Sequence, residues 1–177
     1  PASGTNSSTN SGSTPAPSSA TSTPTSAPPL KATEGKEINP PLSLKLDLKG
    51  DHPHLLAERK LLPETIARFG IGYCTRGVMR GMIAIPVHDE EGELVAYAGR
   101  RLKFAEIEEH GKYKFPSGFV KEAVLYNLNR AKESMSKEGV VILVEGFFSV
   151  IKLSEMGFPN VVAPMGSCLS EKQAKLL

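Results

Sequence analysis

The chain of 177 residues carries 21 Lys and Arg against 19 Asp and Glu, and its net charge of +2 does not by itself call for a polyanionic partner. No apolar stretch approaches the roughly 20 residues that cross a bilayer, so no membrane partner is expected and the expected compartment is the cytoplasm. Cys74 and Cys168 lie far apart and match no zinc or C-x-x-C spacing, so both are expected to be reduced, buried thiols.

Residues 1–30 contain no Lys, Arg, Asp, Glu or His and almost nothing large and apolar. Such a segment cannot bury enough surface to offset the entropy of ordering, so 1–40 reads as a disordered Ser/Thr/Pro-rich linker. Its composition, with a formal sequon at Asn6-Ser7-Ser8, is shared by glycosylated stalks, but nothing else in the chain reads as secreted. A tether implies a further domain upstream. The chain starts at Pro1 and stops at Leu177 inside a helical pattern, so it is expected to be a fragment.

From residue 40 to 50 the leucines alternate (Leu42, Leu44, Leu46, Leu48), as in a short strand or an extended arm. Two short helices follow, over 52–60 with Pro53 in the first turn and over 62–70 with Pro63 at the start and Gly70 at the end. His52 and His54 have no carboxylate or cysteine spaced to complete a metal site with them. Residues 82–88 read as a strand in which Pro86 marks an edge or a bend. Asp89-Glu90-Glu91-Gly92 is a turn, and 93–102 is the returning strand of a hairpin.

Next comes a basic stretch, with Arg100, Arg101, Lys103, Lys112, Lys114 and Lys121 flanking the acids Glu106, Glu108 and Glu109 of an expected loop at 104–111. Tyr113 and Phe115 interleave with the lysines. Cations and aromatics in one extended segment suit phosphate contact and base stacking, and equally suit an ordinary solvated strand face. A helix is expected over 123–137.

The last forty residues read β-α-β-α, which predicts a parallel pair with a helical crossover. The run Val140-Val141-Ile142-Leu143-Val144 predicts a fully buried strand that delivers Glu145 to its carboxyl end, where open α/β sheets bind ligands. Glu145 is then either a functional carboxylate or a group sitting at the positive start of the helix over 147–155. A second buried strand over 160–164 ends in the turn Met165-Gly166-Ser167-Cys168, which falls at the same sheet edge as Glu145. Ser170 caps a last helix.

Taken together, residues 52–177 resemble the catalytic core of bacterial DnaG-type primases and their plasmid or phage relatives. The residues that carry the resemblance are LPETIARFGIGY at 62–73, the hairpin at 82–102 ending in Gly99-Arg100, Lys112-Tyr113, Phe119-Val120-Lys121, Leu125-Tyr126-Asn127-Leu128, and VEGFFSVI at 144–151. The last is similar to the first Toprim motif, usually V-E-G-Y-M-D-V-I. The resemblance implies a mixed α+β primase-core subdomain over 41–137 that grips template and nucleotide. It also implies the β-α-β-α start of a parallel-sheet Toprim domain over 138–177, giving an α/β chain behind a disordered tail.

It implies Glu145 as the Toprim carboxylate, catalytic and a ligand of Mg²⁺ or Mn²⁺, with the remaining ligands expected beyond Leu177. Arg100, Arg101, Lys112, Tyr113 and Lys121 become the nucleic-acid and nucleotide groups, and Zn²⁺ belongs only to a module upstream. The implied activity is synthesis of short RNA primers on single-stranded DNA from ribonucleoside triphosphates, with a replicative helicase as a further partner. Ser149 stands where the motif usually has aspartate. With one carboxylate at the metal the chain is expected to be inactive alone. The alternative is a non-catalytic Toprim-containing DNA-binding protein of replication or a mobile element.

Overall fold

The computed structural model describes residues 39–177, so the expected linker lies outside them apart from its last two residues. An extended arm runs from residue 40 and becomes regular only at β1 (Leu48–Lys49). Leu42, Leu46 and Leu48 of the arm pack against a buried cluster of Cys74, Met79, Met82, Ala84 and Tyr97, while Leu44 points outward. The first expected helix is a single π-helical turn, His54–Glu58. The second is α1 (Pro63–Phe69), closed by Gly70 in the left-handed conformation.

Five strands form one antiparallel sheet in chain order: β1, β2 (Gly72–Cys74), β3 (Ile83–His88), β4 (Leu94–Arg100) and β5 (Tyr113–Lys114). The β3–β4 hairpin is its spine, and alternation along it supplies both faces, apart from Val95, which joins Ala96 in the main core. Ile83, Ile85, Val87, Ala96 and Ala98 enter the main core, while Ala84 and Tyr97 face the arm. At the hairpin turn the Asp89 carboxylate accepts the Glu93 N–H at 2.8 Å, and Gly92 takes φ +94°.

Pro86 lies within the middle strand rather than on an outer one. It is tolerated there because β2 pairs only with Ile83 and Ala84, and beyond them Gly70 closes over the proline ring. The bend expected of it appears one residue later as a register shift between Val87 and His88.

Three further expectations are corrected. Residues 104–111 are not a loop: Phe104–His110 forms α2, since nothing in Phe-Ala-Glu-Ile-Glu-Glu-His breaks a helix until Gly111 at φ +78°. The helix expected over 123–137 is α3 (Leu128–Glu138) and starts five residues later. Before it, Tyr126 exchanges two backbone hydrogen bonds with Ala163, at 2.8 and 3.2 Å, so long-range pairing overrides helical preference. Asn127, at φ +72°, turns the chain and donates its side-chain amide to the Val161 carbonyl at 2.9 Å.

The strand before Glu145 is the third. β6 (Ile142–Leu143) pairs in parallel with β7 (Val161–Val162), as expected, but it is not fully buried. Val140 is 57% exposed and Leu143 45%, because among the described residues β6 has a strand neighbour on one side only.

α4 (Phe147–Glu155) connects β6 to β7 and buries Phe147, Val150 and Ile151. These join Leu55, Ile66, Phe69, Ile85 and Val87 in one core, so the sheet and the β6–α4–β7 unit share their interior. α5 (Glu171–Ala174) starts at Ser170 with a reciprocal cap, the Ser170 hydroxyl taking the Gln173 N–H and the Gln173 side chain taking the Ser170 N–H. Cys74 is buried as expected; Cys168 is exposed, since its turn lies on the surface.

Candidate nucleic-acid interface

One row of residues crosses the whole five-stranded sheet. Lys49 pairs with Tyr73, Tyr73 with Ile83, Ile83 with Arg100 and Arg100 with Tyr113. Neighbouring strands lie about 4.8 Å apart and partners across a ladder point to the same face. Tyr73, Arg100 and Tyr113 therefore stand in line on the face that carries the main core.

The row continues into the Toprim-like segment through aromatic contact. The Arg100 guanidinium lies 5.6 Å over the Tyr113 ring, and Tyr113 packs on Phe147 at 5.1 Å. Phe115 packs on Phe147 at 6.3 Å and on Phe119 at 5.7 Å, and the Lys121 ammonium sits 5.5 Å over Phe115. Phe147 is two residues from Glu145. The structure thus brings Arg100, Tyr113 and Lys121 onto one aromatic floor whose end is the first turn after Glu145.

Lys112 and Arg101 belong to this region differently. Lys112 is exposed at the start of the β5 corner, with its backbone carbonyl taking the Arg101 N–H at 3.0 Å. Arg101 is only 9% exposed, and its Nη1 donates to the carbonyls of His110 and Gly111 at 3.0 and 2.8 Å. That guanidinium holds the corner between α2 and β5 rather than facing solvent.

Arg59 is a cation that the sequence pattern did not single out. It lies 4.6 Å over Phe148 and its Nε donates to His54 Nε2 at 3.3 Å. Its only signal was its place in a Glu-Arg-Lys run on a short amphipathic helix. Burial lowers the His54 pKa, opposed by the Glu58 carboxylate and assisted by Arg59 and Arg100. The Tyr113 hydroxyl is pushed up by burial, and the same two arginines oppose this. One Arg100 Nη1 is buried without a hydrogen-bond partner, so this guanidinium retains donor capacity.

Glu145 is exposed, at the carboxyl end of β6. Gly146 is the cap of α4 and no side chain caps it, so Glu145 does not act as a helix cap. Ser149 is exposed on the first turn of the same helix. A carboxylate is the hard oxygen donor that Mg²⁺ prefers, but among the described residues no three His, Cys, Asp or Glu side chains come together to hold an ion. Glu145 alone does not complete a magnesium site among the described residues.

Comparison with known proteins places this geometry. Residues 139–177 match the Toprim domain family. The chain is 32% identical over 154 residues to the DNA primase of Aquifex aeolicus (strain VF5), covering 81% of this chain and 31% of that protein. It is 38% identical over 104 residues to the DNA primase of Geobacillus stearothermophilus, covering 57% of this chain and 17% of that protein. Among solved structures, the zinc-binding and RNA polymerase domains of the Aquifex aeolicus primase superpose with a TM-score of 0.61 at 27% identity, over 70% of this chain and 38% of that one. A DnaG primase catalytic domain bound to single-stranded DNA shares the fold, with a TM-score of 0.58 at 24% identity, over 69% and 48%.

The fold and sequence therefore define a Toprim-containing protein of the primase type. The chain is a relative of the DnaG-type bacterial DNA primases and corresponds to part of their catalytic core. It spans less than a third of the length of these curated relatives.

Proposed function

We propose that the protein makes short RNA primers on a single-stranded DNA template by metal-dependent nucleotidyl transfer, and that this chain supplies the template and nucleotide grip. Residues 41–137 form the gripping subdomain and 138–177 the Toprim part. The observation that carries the reading is the Arg100–Tyr113–Phe147 contact, which joins a strip of cations to the segment bearing Glu145. Arg100, Lys112 and Lys121 engage phosphates of template or ribonucleoside triphosphate, and Tyr113 lends its ring to the floor beneath them. Arg101 acts from behind, by fixing the corner that presents Lys112 and Tyr113. The curated relatives are DNA primases, and one primase of this fold is bound to single-stranded DNA.

Glu145 offers one oxygen ligand to Mg²⁺ or Mn²⁺, whose chemistry is to neutralise charge on phosphates. Among the described residues no group of three metal-ligating side chains forms around it, so the 177-residue chain alone is inactive in synthesis. A zinc module and a replicative helicase belong to this reading as partners outside the described residues.

Two measurements test it. The complete gene product should make short RNA on single-stranded DNA with Mg²⁺, and Glu145→Gln should abolish it; normal synthesis by that variant rules out the role of Glu145. The chain itself should bind a labelled oligonucleotide with salt-sensitive affinity. Replacing Lys112 and Lys121 together by alanine should reduce the log–log salt slope by about 1.4, at roughly 0.7 per phosphate contact on a single strand. Ser149, exposed one turn after Glu145, favours one second reading, a Toprim protein that binds DNA without polymerising. DNA binding with no metal-dependent product from the complete protein would select it.

A further inference from the structure

We propose that the cavity at the end of the same sheet face, between the His52–Tyr73 pair and the start of α2, is a subsite for one unpaired nucleobase and its phosphate in a single strand. This deepens the reading of the Arg100–Lys121 strip as a nucleic-acid groove and rests on it.

The cavity measures ≈ 710 Å³, within the range of small-molecule sites, and its walls include Tyr73, Arg80, Leu102 and Lys103. It lies beside the strip. Tyr73 stands in the same cross-strand row as Arg100 and Tyr113. Leu102 and Lys103 follow Arg100 beyond the end of β4, and Arg80 precedes Ile83 at the mouth of β3. A strand lying along the Arg100–Lys121 floor reaches this cavity two strands further across the sheet, beyond Ile83.

The cavity offers an assembled stacking surface. The His52 and Tyr73 rings stack at 4.4 Å between centroids with 17° between planes. The imidazole is held in place, because its Nδ1 accepts the His54 backbone N–H at 3.2 Å. Its proton then sits on Nε2, which makes no hydrogen bond among the described residues. Both rings are partly buried but reach the surface, whereas aromatic pairs that serve only the interior here, such as Tyr126 and Phe147, are covered.

A base stacks on any flat π surface, which gives binding without sequence preference. Arg80 is exposed and has no carboxylate partner among the described residues, so its guanidinium is available to a phosphate. Lys103 is held by Glu106 at 3.1 Å and contributes less. A base inside a duplex has both faces covered, so the ligand that fits is single-stranded.

The test measures binding of the 177-residue chain to a fluorescein-labelled single-stranded oligonucleotide and to the same oligonucleotide with abasic positions. His52→Ala and Arg80→Ala lie on surface segments, and circular dichroism checks that each folds. His52→Ala should weaken binding roughly five- to a hundredfold, the effect of losing one stacked base. The abasic oligonucleotide should lose affinity with the unaltered chain and lose little more with His52→Ala. Arg80→Ala should reduce the salt slope by about 0.7. If His52→Ala binds as tightly as the unaltered chain while Lys112→Ala still weakens binding, the subsite is wrong and the strip stands. If the unaltered chain binds no oligonucleotide, both readings fall.

Discussion

Gln173 is the side chain on which the placement of Lys121 most directly depends. It is 1% exposed, and its Nε2 faces the carbonyls of Lys121, Val124 and Pro164 at 3.0, 2.8 and 3.0 Å. Its Oε1 takes the Ser170 N–H at 3.0 Å. One amide therefore ties the start of α5, the short turn at 121–123 and the end of β7. Gln173→Leu keeps most of the volume but removes both donors and the acceptor. A net loss of about 1 kcal/mol for each of these hydrogen bonds, with about 1–3 kcal/mol for a buried polar group left without a partner, gives roughly 4–6 kcal/mol. That is a large share of the ~5–15 kcal/mol that holds a domain. In urea, with a slope of roughly 2 kcal/mol/M, the unfolding midpoint should fall by about 2–3 M at unchanged slope. Far-UV circular dichroism of the two chains measures it. A midpoint within about 0.5 M of the unaltered chain would refute the reasoning, because the three carbonyls would then have found other partners.

Arg101→Met should destabilise the chain by about 2–3 kcal/mol, less than two charge-assisted bonds at full value, since the freed carbonyls at the exposed corner regain water. Amide exchange over 110–114 should speed up, and unchanged exchange there would mean that the corner is held without Arg101. The pKa values of His54 and His88 are both lowered, in each case chiefly by burial, with Arg130 adding to the effect at His88. The unfolded chain binds protons that the folded one resists, so the stability from these groups is present above about pH 6.5 and is lost as pH falls below it. The urea midpoint should drop from pH 7.5 to 5.5, and the double variant His54→Gln, His88→Gln should flatten the drop. An equal drop in that variant would assign the acid sensitivity elsewhere.

What the sequence made legible were features governed by local chemistry. The β3–β4 hairpin follows from alternation plus an Asp-Gly turn. α1 follows from Pro63 and Gly70, the α5 cap from Ser170 and Gln173, and the parallel β6–β7 pair from two apolar runs around a helix. What was not legible depended on partners distant in the chain. Tyr126 sits in a stretch that reads as helix and is extended because Ala163, 37 residues later, takes its backbone bonds. β2 is three residues long and exists through pairing with β1 and β3. The candidate site divides in the same way. Arg100, Lys112, Tyr113 and Lys121 could be read from a basic run with aromatics, but a run cannot tell a cation that faces solvent from one that turns inward. Arg101 turns inward because, one residue past the end of β4, its guanidinium finds the carbonyls of His110 and Gly111.

Phe147 explains why a strip on one sheet and a carboxylate on another segment can act as one surface. β5 has two residues and pairs with β4 through Gly99 and Arg100 alone, so its own ladder holds it weakly. Tyr113 and Phe115, on and beside that strand, rest on Phe147, and Phe147 is fixed from below by Tyr126 at 4.7 Å. Tyr126 is in turn bonded to Ala163 at the end of β7, the strand that pairs with the one leading to Glu145. The cations therefore take their position from the same buried aromatics that fix the start of α4. Any motion of α4 that shifted Glu145 would shift the floor under Arg100 and Lys121 with it, so under the proposed function phosphates on the strip would keep their register to the carboxylate.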